Sequence, residues 1–146
     1  MNTKQINAIL KCDMMTKDLY HGKFPMDKLP ALQRGAYIIN TDDHDEPGQH
    51  WLAIYYDEVV EYFDSFGLLP LDSRLKEFIG EDYVYNVTPL QQLYSNACGF
   101  YCVYYLLHRA RGHSMFDIID TLKRSMEISW LKTFYTDITN LYSIKM

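Results

Sequence analysis

HWLAIYYDEVVEYFDSFG, residues 50–67, sets runs of β-branched and aromatic residues on either side of a charged pair, Asp57 and Glu58. The pattern predicts two antiparallel strands joined by a short turn, although the Asn-Gly pair that favours the tightest turns is missing. Register decides what the open end of this hairpin carries. A two-residue turn at Asp57 and Glu58 would set Trp51 opposite Asp64. A three-residue loop, Tyr56 to Glu58, would set His50 opposite Asp64, with Cβ atoms about 5 Å apart. Under either register, a histidine opening one strand lies beside a carboxylate closing the other.

The flanking sequence alternates strand and helix. TDDHDEPG, residues 41–48, is a polar, turn-rich loop that delivers His50 to the hairpin, and AYIIN, 36–40, is a short β-prone run before it. Further upstream, Pro25 and Pro30 predict a loop, and residues 3–15 place Ile6, Ile9, Leu10 and Met14 at helical spacing behind Thr3 as a cap. Downstream, Asp72 caps a short helix with Leu75, Phe78 and Ile79, closed by Gly80, and DYVYNV, 82–87, returns to strand character before Pro89. CGFYCVYYLLHRARG, 98–112, has helical length, with Ser95 or Asn96 as candidate caps and His108, Arg109, Arg111 and Gly112 at its end. Ser114 and Asp117 resemble a capping box ahead of Met115, Ile118, Ile119 and Leu122, and Ile128, Leu131, Tyr135, Ile138 and Tyr142 continue a second helical face. The fold class is α+β, a sheet flanked by helices, and residues 1–146 read as one domain.

Composition narrows the function. A net charge of −5 is the wrong sign for a protein built to grip nucleic-acid phosphates, and the one basic cluster, HRARGH at 108–113, is explained by complementing a helix C-terminus. A weak DNA contact there is the most that the charge allows. Cys12, Cys98 and Cys102 are too few, and odd in number, for a disulfide framework, so free thiols in a reducing, intracellular setting are expected. No apolar run is long enough to span a bilayer, and the first residues lack the apolar core of a secretory signal. A soluble monomer is expected.

Among the thiols, Cys98 stands at the start of the predicted helix, where unpaired N–H groups and the helix dipole favour a thiolate. Cys102, one turn deeper in an aromatic run, should have its pKa raised by burial. A lone cysteine is more often a small buried hydrophobe than a nucleophile, so a partner base must raise the odds. His21 and His44 fall in loops, and His108 and His113 flank a helix end; His50 alone is held by a strand yet open on one side. Asp64 would hold its imidazole in the needed tautomer, although a plain turn-forming role in FDSFG explains that residue equally well. Gln91 and Gln92, on the loop before Cys98, are candidate oxyanion donors, each otherwise an ordinary solvated glutamine. A zinc site is disfavoured, since Cys98 and Cys102 are spaced for a helical turn.

IINTDDHDEPGQHW (38–51), YFDSFG (62–67) and QQLYSNACGFYC (91–102) resemble the signature blocks of the adenain family, the adenovirus-type maturation proteases, and of its shorter relatives in virophages and Maverick/Polinton elements. The likeness runs from about Ala36 to Leu107. It implies an adenain-like fold of the papain-like clan, with a central mixed or antiparallel sheet and the cysteine at the N-terminus of a buried helix. It also implies Cys98 as nucleophile, His50 as general base, Asp64 as the carboxylate, and Trp51 as one wall of a narrow substrate groove. Gln91 has adenain-type spacing to the cysteine and Gln92 the spacing of the ubiquitin-like-modifier proteases, with Gln91 preferred.

The activity so implied is that of a cysteine endopeptidase that cuts capsid or other structural proteins at small, Gly-rich sites during particle maturation, packaged in the virion and needing no cofactor for its chemistry. Adenain is stimulated by DNA and by a disulfide-linked peptide, but GEDYVYNVTPLQ, 80–91, lacks the cysteine that such a peptide would join, so covalent activation is not expected. Two alternatives remain: an isopeptidase of the same clan acting on ubiquitin-like modifiers, and a catalytically inactive protein-binding module.

Overall fold

A computed structural model describes residues 2–46, 50–90, 97–124 and 136. The second helical face predicted from Ile128 to Tyr142 lies outside these residues, as do Gln91, Gln92, Ser95 and Asn96. The elements run α1 (Thr3–Cys12), β1 (Tyr20–Pro25), a 3-10 turn (Met26–Lys28), β2 (Gly35–Asn40), β3 (Trp51–Tyr56), β4 (Val60–Phe63), α2 (Ser73–Ile79), β5 (Tyr83–Tyr85), α3 (Cys98–Ala110) and α4 (Met115–Arg124). The α+β class is as expected.

Five strands form one sheet in chain order. The inner pairs, β2–β3 and β3–β4, are antiparallel, while β1 and β5 join the edges in parallel, so the sheet is mixed. β1 was not anticipated: Pro25 and a positive-φ Gly22 weaken its strand signal, and both are tolerated because the strand sits at an edge. α1 is shorter than expected and is capped by Asn2, whose side chain and that of Gln5 reciprocally satisfy backbone N–H groups.

Each sheet face buries its own core. Ile38, Ala53 and Phe63 pack with Ile6, Ile9 and Leu10 of α1 and with Cys102, Tyr105 and Leu106 of α3. On the other face, Leu52, Ile54, Val60 and Tyr62 pack with Leu75 and Ile79 of α2 and with Met26. This division explains the hairpin register, in which Tyr56 pairs with Val60 and Ala53 with Phe63. Residues directly opposite across an antiparallel pair share a face. A two-residue turn at Asp57 and Glu58 would have set inward Ile54 against Glu61, so it is excluded, and the connection is a three-residue loop of Asp57, Glu58 and Val59. Val59 is exposed rather than a strand residue.

Beyond β4, the chain turns at Gly67, with φ +71°, against the segment that follows β5; a Cβ there would lie 2.7 Å from the Pro89 nitrogen. Gly112, just past α3 with φ +90°, has open space around it. Gly112→Ala should therefore cost about 1 kcal/mol of left-handed backbone strain. Gly67→Ala should add about 1–3 kcal/mol of overpacking to that strain, an ordering that urea midpoints of the two variants will check.

Candidate active site

Three elements converge at one end of the sheet. β3 begins at Trp51, so His50 sits at its mouth; β4 ends at Phe63, so Asp64 is the next residue; and α3 starts with Cys98 itself. The observed register places His50 diagonal to Asp64 rather than directly opposite, since continuing the ladder sets Leu52 level with Asp64. Diagonal neighbours on one face remain within side-chain reach. The His50 Nε2 to Asp64 Oδ1 distance is 2.7 Å, with 14% and 6% of the two side chains exposed.

Asp64 Oδ1 also accepts the Phe66 N–H at 2.9 Å, which is the local turn that the sequence offered as the rival explanation. The two roles coexist in one carboxylate. Phe66 stacks its ring on the His50 imidazole with centroids 4.6 Å apart, leaving the ring little freedom to tilt. Neither this stack nor the role of Asn86, which bonds the Asp64 main chain, was foreseen from the sequence.

With Nε2 engaged by Asp64, Nδ1 is the ring nitrogen left for the Cys98 thiol, which hydrogen-bonds the imidazole. Burial opposes a charge on His50, yet the hydrogen bonds and charges of Asp64 and Cys98 outweigh it and push the pKa up to about 9. Burial likewise raises the Cys98 thiol, but the His50 hydrogen bond, backbone hydrogen bonds at Trp51 and Gly99, and the imidazolium charge hold it below the ordinary thiol value. The two shifts favour a thiolate–imidazolium pair. Cys102 is fully buried and pushed well above its ordinary value, chiefly by desolvation, as its position in the aromatic run implied.

α3 has Ala97 at its N-cap, without a side-chain cap. Its register on the sheet is set deeper in: the Cys102 thiol donates to the Trp51 carbonyl at 3.3 Å, and Arg109 pairs with Glu61 of β4 at 2.8 Å. These contacts hold the first turn beside His50. The Trp51 side chain is half-buried and, with Lys23, Asn40, Asp42, Asp43 and Glu46, lines a hollow of about 160 Å³ on the β1 side. On the α2 side a mainly apolar hollow of about 250 Å³ is lined by His50, Asp64 and Phe66 together with Leu52, Leu68 and Leu71. Among the described residues there is no cluster of potential metal ligands and no helix long and apolar enough to cross a membrane.

No protein-family model and no curated protein matches this sequence. Solved structures do. The fold matches the ASFV pS273R protease over 93% of the chain, with a TM-score of 0.62 and 15% identity, and the chain covers 66% of that protein's length, just under two thirds. It matches the central domain of Lpg1148 from Legionella pneumophila over 99% of the chain and 98% of that domain, with a TM-score of 0.60 and 15% identity. What these matches share with the chain is the fold, which in the first of them is that of a protease.

The ion pair has a measurable signature. In a Cys12→Ser background, iodoacetamide should alkylate Cys98 with a rate that rises through a pKa below the ordinary thiol value, while buried Cys102 stays unmodified. Asp64→Asn should remove the carboxylate that favours the imidazolium and move this limb upward by about one pH unit or more. A rate profile that keeps its position in Asp64→Asn would show that the carboxylate does not govern the pair.

Proposed function

We propose that the chain is a cysteine endopeptidase that cuts structural proteins of a virus or virus-like element at small, Gly-rich sites. The observation that carries the reading is the His50 imidazole, hydrogen-bonded to the buried Asp64 carboxylate on one side and to the Cys98 thiol at a helix start on the other. A binding module needs none of these three groups in that order. The fold shared with a viral protease supports the same reading.

In this mechanism the Cys98 thiolate attacks the scissile carbonyl carbon, the C–S bond forms, and the carbonyl electron pair moves onto oxygen. The developing oxyanion would be held by the Cys98 N–H and by a glutamine side chain, Gln91 in preference to Gln92. The His50 imidazolium then gives its proton to the leaving amine as the C–N bond breaks. The neutral imidazole next takes a proton from water, whose oxygen attacks the thioester and frees Cys98. Asp64 keeps the ring oriented and stabilises its charged state throughout. No cofactor enters these steps. Trp51 would form one wall of the groove, and a small P1 residue such as glycine would let the substrate backbone come close to the thiolate.

The test is co-expression with the structural proteins of the source element, followed by N-terminal sequencing of any new fragment. Cleavage after a small residue, abolished by Cys98→Ala, is expected. Gln91→Ala should lower kcat by about 10²–10³-fold and Gln92→Ala by much less. Cleavage that survives Cys98→Ala would end the proposal, and turnover confined to Gly-Gly modifier conjugates would move the substrate class to isopeptide bonds.

A further inference from the structure

Asn86 is 3% exposed and follows directly on β5, whose last pair with β4 is Tyr62 with Tyr85. Past that pair the chain leaves the ladder towards Pro89, and the Asn86 side chain takes over the hydrogen bonding that the strand gives up. The Asp64 N–H donates to Asn86 Oδ1 at 2.9 Å, and Asn86 Nδ2 donates to the Asp64 carbonyl at 2.5 Å. One amide side chain thus satisfies both main-chain groups of a single residue, as a neighbouring strand's backbone would.

The rest of the turn is pinned from the same segment. The Leu90 N–H donates to the Ser65 carbonyl at 2.8 Å, the Gly67 N–H closes the turn onto the Asp64 carbonyl at 2.7 Å, and the Tyr101 hydroxyl of α3 donates to the Leu90 carbonyl at 3.0 Å. Asp64 therefore has its N–H, its carbonyl and one carboxylate oxygen all spoken for, and only that oxygen touches His50. A carboxylate so held needs no reorganisation when the imidazole gains its proton.

We propose that Asn86 is a positioning residue for the catalytic pair: by clamping the Asp64 main chain it aims the carboxylate at His50 Nε2 and so sustains the imidazolium beside Cys98. The proposal rests on the protease reading given above. A purely structural amide would differ in one respect, since its loss would lower stability without touching the proton equilibrium of His50. Among the described residues, the charged groups facing His50 are Asp64, from the end of β4, and Cys98, from α3.

The experiment compares Cys12→Ser with Cys12→Ser/Asn86→Ala, using iodoacetamide alkylation of Cys98 against pH and imidazole NMR titration of His50, neither of which needs a substrate. Asn86→Ser is the second variant should alanine leave too little folded chain. The expected result is a fall of the His50 titration by about one pH unit or more, with the alkylation limb moving upward in step. Asn86 variants that melt at lower temperature but titrate as the parent does would overturn the proposal and leave the protease reading intact. A parent chain whose Cys98 already alkylates as an ordinary thiol would remove the protease reading itself.

Discussion

The β3–β4 register is the constraint on which the rest of this molecule hangs. A strand exposes alternate residues to opposite faces, so moving the pairing by one residue would put Ile54 and Tyr62, now opposite each other in one core, on different faces of the sheet. The two cores are built from different partners. One must fit Tyr105 of α3, whose ring stacks on Phe63 at 4.5 Å, and the other must fit Leu75, Phe78 and Ile79 of α2. Fixing the register to satisfy both also fixes the hairpin's open end, where His50 and Asp64 meet. The geometry of the candidate site is thus inherited from core packing, and no separate device is needed to bring the pair within reach.

A second constraint lies along α3. A mainly apolar helix on a sheet can slide with little loss of buried area, whereas directional polar contacts resist sliding. α3 has such contacts at three levels: Cys102 to the Trp51 carbonyl, Arg109 to Glu61, and Arg111 to the fully buried Asp13 at the end of α1. The Tyr105 hydroxyl joins the same Glu61 carboxylate. Together they specify the axial position of the helix, and its first turn, without a side-chain cap of its own, is left facing the imidazole.

What the sequence reveals of this arrangement follows the range of the interactions. Cys98 at a helix start, His50 at a strand mouth and Asp64 after the paired strand are each marked by local patterning, and their convergence follows once the hairpin is recognised. The loop length is harder to read, because Val59 has strand propensity and only the cores behind it decide that it turns instead. β1 is hidden by its glycine and proline, and Asn86 and Phe66 by distance or by dependence on a turn: an asparagine in YNVTP carries no sign that it will clasp a residue twenty-two positions earlier. Tertiary pairing created those roles, so local propensity could not announce them.

The two cysteines of α3 show what this scaffold does to a side chain. Cys98 is 6% exposed and Cys102 0%, and they occupy successive turns of one helix, yet one thiol is pulled below its ordinary pKa and the other pushed far above it. Burial raises both, so burial cannot be what lowers Cys98. The lowering comes from the hydrogen bond and charge of His50, supplied by another element, and from backbone hydrogen bonds at Trp51 and Gly99, where the helix begins beside β3. One turn deeper, the Cys102 thiol is itself a donor, to the Trp51 carbonyl, and becoming a thiolate would forfeit that bond in an apolar surround. The same residue type therefore has its thiol made more acidic or less acidic according to whether His50 and the backbone groups at the start of α3 reach it.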